Sequence, residues 1–199
     1  MTSLSDLIEL QAFCNENADL VLSWRNANRI RSNSFDDKHI SKDAHLQFIN
    51  SLHKKPRVHY FVVLINKQPE AVINVDASGK IATWGCYIGT ADAPKPGIFP
   101  LLILIACDLA FNFYDVSSLT SEVLQKNDAP QKFNKYLGIK KSGCKIVTRA
   151  SDINMTVFEY NVSRDEFASV KQKAMGLLTK NFRKMFIDFE GTEDRYCHA

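Results

Sequence analysis

At 199 residues with a formal net charge of +3, 25 Lys and Arg against 22 Asp and Glu, the chain has the length of one domain or one domain with an appendage. Its charge is too small and too scattered to argue for nucleic acid. Apolar residues make up 45% and charged residues 24%, which excludes global disorder and supplies a packed core, and no apolar run reaches the roughly 18–20 residues of a membrane span.

The expected elements follow in chain order. Leu7 to Phe13 alternates loosely and reads as a first strand, and Asn17 to Trp24 as a short helix with Leu20, Val21 and Trp24 at helical spacing. The polar stretch Arg25 to His39 is a loop or broken helix. Ser41 is placed as the N-cap of a second helix whose apolar side is Ala44, Leu46, Phe48, Ile49 and Leu52. Three strand-like segments come next, His59–Ile65, Ala71–Val75 and Ile81–Ile88, joined by the turns Asn66–Pro69 and Ala77–Lys80 as an antiparallel meander. Leu101 to Tyr114 reads as a helix with Pro100 near its first turn, where a missing N–H costs little. Leu119–Leu124 is a strand, Asp128–Leu137 a helix with Gly138 as its left-handed cap, and Cys144–Thr148 and Met155–Asn161 are two closing strands. Residues 163–189 form a separate amphipathic helix opened by the capping box Ser163 and Glu166, with a basic side from Lys171, Lys173, Lys180, Arg183 and Lys184. Its apolar side packs on the domain, on a second subunit as a homodimer, or on a membrane surface. The expected organisation is one α/β domain over 1–162 and this helix with its tail over 163–199. The N-terminus shows no signal-peptide pattern. The five cysteines at 14, 86, 107, 144 and 197 and the histidines fall in no metal-ligand spacing, so a cytoplasmic protein without a metal is expected.

Four strings in this order resemble the GNAT acyl-CoA N-acyltransferase superfamily over about residues 5–162. They are Leu22-Ser-Trp-Arg-Asn26; Trp84-Gly-Cys-Tyr-Ile-Gly89; Gly97 before Leu101-Leu102; and Glu122-Val-Leu followed by Asn127 and Phe133-Asn-Lys-Tyr-Leu-Gly138. Within the superfamily the combination is most similar to the nucleotide-linked 4-amino-sugar N-acetyltransferases of pseudaminic acid biosynthesis. The resemblance implies a mixed, mostly antiparallel sheet of about seven strands flanked by helices. It also implies acetyl transfer from acetyl-CoA to the amine of a UDP- or TDP-linked amino-deoxysugar by direct attack, with no metal.

It further implies roles by position. The strand at 81–88 would splay from that at 119–124, so Cys86, Tyr87 and Ile88 would offer backbone to the donor, with an N–H near Tyr87 polarising the thioester carbonyl. The superfamily's pyrophosphate loop is Arg/Gln-x-x-Gly-x-Gly/Ala, and this chain reads Pro94 to Phe99 there. Pro94, Pro96 and the following Pro100 donate no N–H, leaving Lys95, Gly97, Ile98 and Phe99 as the available donors, with the Lys95 ammonium as a point charge for phosphate. The same departure admits a donor carried on acyl carrier protein. Asn127 matches the family's contact to the pantetheine arm, or caps its helix.

Glu122 is the candidate base, or a solvated strand residue; Thr83 stands where relatives often carry a carboxylate. The position of the family's general acid, Tyr or His, is Asn134, which has no proton to give; Tyr136 lies about 200° further round the helix. Arg25, Asn26, Arg29, Arg31, Phe35 and His39, with His45 beyond, make the acceptor-binding candidate or a solvated loop. Two rival readings stay open: a sibling enzyme acting on protein N-terminal amines, and a weakened GNAT domain that binds without turnover.

Overall fold

The computed structural model describes residues 7–90, 95–148 and 153–178. Seven strands form one sheet in the order β1-β2-β3-β4-β5-β7-β6: β1 (Ile8–Ala12), β2 (Val58–Ile65), β3 (Gln68–Asp76), β4 (Ile81–Ile88), β5 (Ser118–Leu124), β6 (Lys140–Thr148) and β7 (Asn154–Ser163). All neighbours are antiparallel except β4 and β5. The hairpin between β2 and β3 is tight because Asn66 and Lys67 both take positive φ, the pairing a two-residue turn requires.

Helices cover both faces. On one lie α1 (Asn15–Asn26), the single turn α2 (Asn28–Arg31) and α3 (Lys42–Leu52), over a small cluster of Phe13, Ala18, Val21, Ile49, Val62 and Val72. Ser41 caps α3 as expected, accepting from the Ala44 N–H at 3.2 Å. On the other lies the main core around α4 (Ile98–Cys107), every residue of which is buried except the half-buried Phe99. A helix apolar all round belongs between layers, and each such Leu or Ile contributes about 1.5–3 kcal/mol on burial. Below it sit α5 (Asp128–Leu137), ended by Gly138 at φ 79°, and α6 (Arg164–Leu177).

Several boundaries differ from expectation, β3 already starting at Gln68 rather than Ala71 and the first helix spanning Asn15–Asn26, and four have a clear physical cause. The helix starts at Ile98, three residues early, because Gly97 in the left-handed region caps it and Pro100 fits inside its first turn. Its end is a π segment, Asp108–Phe113, fastened by Arg164, whose guanidinium donates to the Phe111 and Val116 carbonyls at 2.7 and 3.2 Å. Strand β6 begins at Lys140 rather than Cys144, since an edge strand carries a polar sequence without cost. The expected helix over 163–189 keeps its capping box at Ser163 and Glu166 but stops at Leu177. Leu178 turns extended and drops into the main core, next to Val170 and Ala174, while residues 179–189 lie outside the described ones. The described part of this helix therefore packs on its own domain. Among the described residues no helix is long and apolar enough to cross a membrane.

Candidate active site

β4 and β5 pair only over Ile81–Thr83 and Ser118–Thr120. Past that point β4 stays with β3 while β5 runs with β7 along its whole length, so a gap opens with a β4 edge on one side. A cleft of about 660 Å³ fills the gap. The amide parity of that edge follows from one bond: the Gly89 N–H donates to Glu70 O at 2.8 Å, toward β3. By antiparallel alternation the amides of Tyr87 and Gly85 also face β3, and those of Cys86 and Ile88 face the gap. The N–H suited to a thioester carbonyl thus belongs to Cys86 or Ile88, not to Tyr87. Composition cannot supply this; it needs the register.

The first and second sequence strings lock together. Trp24 lies against Gly89 so closely that a Cβ at 89 would sit 2.2 Å from the indole ring. Arg29 reaches the same place, donating to Ile88 O at 2.7 Å and also to Gly89 O. Arg29, expected to grip the acceptor, is engaged as a brace for the end of β4. Arg31 and Asn26 are likewise braces: Arg31 Nε donates to Asp37 O at 3.0 Å, and the Asn26 amide exchanges two 2.9 Å bonds with the Ile40 backbone. His39 is exposed and outside the cleft lining. Loops expose carbonyls, and guanidinium and amide groups find those first.

Arg25 and Phe35 do line the cleft. Arg25 spends one nitrogen on Asp36 O at 2.7 Å, while its other terminal nitrogen is buried with no partner. The second such atom is Nε2 of His45, a residue 5% exposed and also in the lining. Burial lowers the His45 pKa below the usual histidine range, so the ring is neutral at pH 7. Its bond to the Ala18 backbone and its seat against Phe13 fix its orientation. A buried nitrogen without a partner is costly unless a ligand satisfies it. Tyr60, Asn74 and Tyr87 complete this wall, and burial pushes the Tyr87 phenol up while nearby Arg25 opposes the shift. Burial also pushes the Cys86 thiol up to about 12, which makes it inert as a nucleophile at neutral pH.

The opposite wall consists of Phe99, Asn127, Pro130, Phe133 and Asn134.

No family model matches the chain. Among curated proteins it is 29% identical over 157 residues to Acetyltransferase PseH of Campylobacter jejuni serotype O:2, covering 70% of this chain and 98% of that protein. It is 30% identical over 129 residues to Acetyltransferase PseH of serotype O:23/36, covering 64% of this chain and 77% of that one. Among solved structures it matches a spermidine N-acetyltransferase from Vibrio cholerae, determined with CoA and spermine, with a TM-score of 0.71, 16% identity, and 81% and 98% of the two chains covered. The chain belongs to the PseH acetyltransferase family, and it shares its fold with solved N-acetyltransferase structures.

The second wall, where the resemblance leads one to expect the donor, departs from expectation at three points. The Ile98 N–H, one of the expected phosphate donors, is bonded to Lys95 O at 3.2 Å, and Ile98 itself is buried. The Lys95 ammonium lies 3.2 Å from Glu70, a buried carboxylate whose role the sequence did not signal. Phe99 turns its ring toward Phe133, 6.1 Å away between centroids, so it serves as cleft wall as well as backbone. Asn127 sits at the N-cap of α5, yet its side chain makes no cap bond, which leaves it for the cleft. Asn134 is buried on the cleft side, and Tyr136 is 57% exposed and outside the lining: two residues of helix turn it away, so it takes no part in the cleft. Glu122 stands at the cleft edge on β5, with Lys145 Nζ 2.6 Å from its Oε1. Among the described residues no cluster of His, Cys, Asp or Glu could hold a metal ion.

Proposed function

We propose that this PseH-family acetyltransferase moves an acetyl group from acetyl-CoA to the amine of a nucleotide-linked amino-deoxysugar, by direct attack while both substrates are bound. The observation that carries the reading is the pair of buried, unpartnered nitrogens, on Arg25 and His45, in a wall of aromatic side chains. A guanidinium N–H needs an anionic or carbonyl oxygen, and a neutral imidazole nitrogen bonds a hydroxyl or an N–H. A sugar nucleotide brings all of these, with planar and ring surfaces for Tyr60, Phe35 and Phe48.

The donor's pantetheine arm would pair along the free β4 edge and with the Asn127 side chain, and its pyrophosphate would meet the Gly97 and Phe99 amides at the start of α4. Glu122 accepts the proton that the acceptor ammonium must lose. The freed nitrogen attacks the thioester carbon, and the negative charge growing on the carbonyl oxygen is met by the Cys86 or Ile88 N–H. The C–S bond breaks and the thiolate leaves. Asn134 has no proton to donate, so the thiolate takes one from water at the cleft mouth.

Asn134 and the bonded Ile98 amide favour a second reading, a domain that binds acetyl-CoA or a carrier-borne acyl group without turning it over. One experiment separates them: titration calorimetry with acetyl-CoA and free CoA, followed by turnover with UDP- and TDP-amino sugars and with N-terminal peptides. Micromolar binding and sugar acetylation support the enzyme. Binding without turnover supports the second reading, and acetylation of peptides alone overturns the sugar acceptor.

A further inference from the structure

Beside the cleft a row of three charges crosses β5, β7 and β6. Lys145 Nζ lies 2.6 Å from Glu122 Oε1 and 3.3 Å from Glu159 Oε1. Glu122 and Glu159 are direct partners in the β5–β7 ladder, so their side chains share one face of the sheet at the spacing where like charges repel. Gly143 opposes Glu159 on β6, and a Cβ there would sit 2.6 Å from Glu159 Oε2. The missing side chain leaves room for that carboxylate to lie across the strand. A register shift between Lys141 and Gly143 then places Lys145 opposite Val157, one step further along the same face, where its ammonium reaches both acids.

The surroundings of Glu122 single out this row. From β4 and α5 the cleft receives Trp84, Pro130 and Asn134, which do not titrate, and Cys86 and Tyr87, whose thiol and phenol burial keeps protonated at neutral pH, while Ser121 and Val123 flank Glu122 on its own strand. The far wall presents Arg25, Arg29, Asp36, His45, Tyr60 and Tyr87. The charges in ion-pair range of Glu122 among the described residues are one cation, Lys145, which also engages Glu159. Both acids raise the Lys145 pKa, Glu122 more than Glu159, so the ammonium stays charged across the working pH range.

We propose that Lys145 is a positioning residue for the acetyl transfer: its ammonium offsets the repulsion between the facing Glu122 and Glu159 carboxylates, and it holds Glu122 through Oε1 so that the second oxygen is left for the acceptor amine. The inference rests on the acetyltransferase reading above and on Glu122 as its base. All three side chains are more than a third exposed, and ion pairs of that kind contribute little to folding stability, so their removal leaves the fold intact.

The test combines two readouts on the full chain: the pH profile of kcat with the acetylated amino sugar, and a pH titration of ¹³C-carboxyl-labelled glutamate by NMR. In Lys145→Met the acid limb of the kcat profile moves up by about half a pH unit, a roughly threefold loss of rate below the limb. The higher titration midpoint of the Glu122–Glu159 pair moves with it. Lys145→Arg keeps both near native values, and adding Glu159→Gln to Lys145→Met brings both back. A midpoint unmoved in Lys145→Met overturns the inference whatever the turnover. A midpoint that moves while the acid limb stays put also overturns it, because the row would then play no part in the reaction. If the native chain acetylates no amine, the acetyltransferase reading fails and takes the inference with it; native turnover with unchanged Lys145→Met profiles sinks the inference alone.

Discussion

On the acceptor wall, Arg25 and His45 each bury a nitrogen that nothing in the described protein satisfies, and neighbouring residues hold both side chains in place. On the donor wall the polar groups are largely committed already: the Ile98 amide to Lys95, the Lys95 ammonium to Glu70, and the β4 amides of Gly85 and Tyr87 to β3. What the donor side offers is a stretch of strand edge, two or three amides and the uncapped Asn127 side chain. On the proposed reading, one half of the cleft recognises through side chains and the other through backbone. Substitutions on the first should therefore change which acceptor binds, whereas those on the second should act on the rate of the chemical step.

The largest expected effect breaks the acceptor wall. Arg25→Met removes a charge-assisted contact worth about 1.5–3 kcal/mol, so acceptor KM rises about ten- to hundredfold while acetyl-CoA affinity by calorimetry is unchanged. An equal loss for both substrates would erase the distinction between the walls. Gly89→Ala comes next. Its methyl would collide with the Trp24 ring, and overpacking of this kind costs about 1–3 kcal/mol. Urea titration should show that loss, with a rise in acceptor KM as α1 is displaced. On the donor wall, Asn134→Tyr supplies the absent acid, and kcat should rise several-fold in single-turnover assays with acceptor KM unmoved. A fall in kcat would mean that Asn134 is itself needed by the donor.

The smallest effect concerns pH. Burial lowers the His45 and His59 pKa values, so between their folded values and about 6.5 the unfolded chain binds more protons than the folded one. Stability should be full above that window and fall as pH drops through it, visible as a decrease in Tm of about 2–4 °C for each kcal/mol lost. His45→Gln should flatten part of that slope and raise acceptor KM.

Much of this was legible in the residues. The β-branched and aromatic runs of β2 to β4, the Ser41 and Ser163 caps and the Gly138 stop each carry a local cause, and each lies where its cause puts it. The π segment and the break at Leu178 have no local cause: Arg164 and the core impose them from elsewhere in the chain. The site divides the same way. The family resemblance implied Glu122, Asn127 and Arg25 at the cleft, but neither it nor residue type could say that Arg29, Arg31 and Asn26 would turn to nearby carbonyls. The gap-facing amides of β4 depend on a parity that only the ladder with β3 sets. Lys145 carried no signal at all, since an edge lysine reads as a solvated charge until the partner strands are known.

The contact between Trp24 and Gly89 reaches beyond this one chain. Two positions 65 residues apart in sequence share a space that holds an indole or a Cβ but not both. Any homologue keeping this backbone obeys an exclusion rule: a side chain at the second position goes with a smaller residue at the first. An aligned set of relatives in which large residues occupy both would show that the helix and the strand have moved apart.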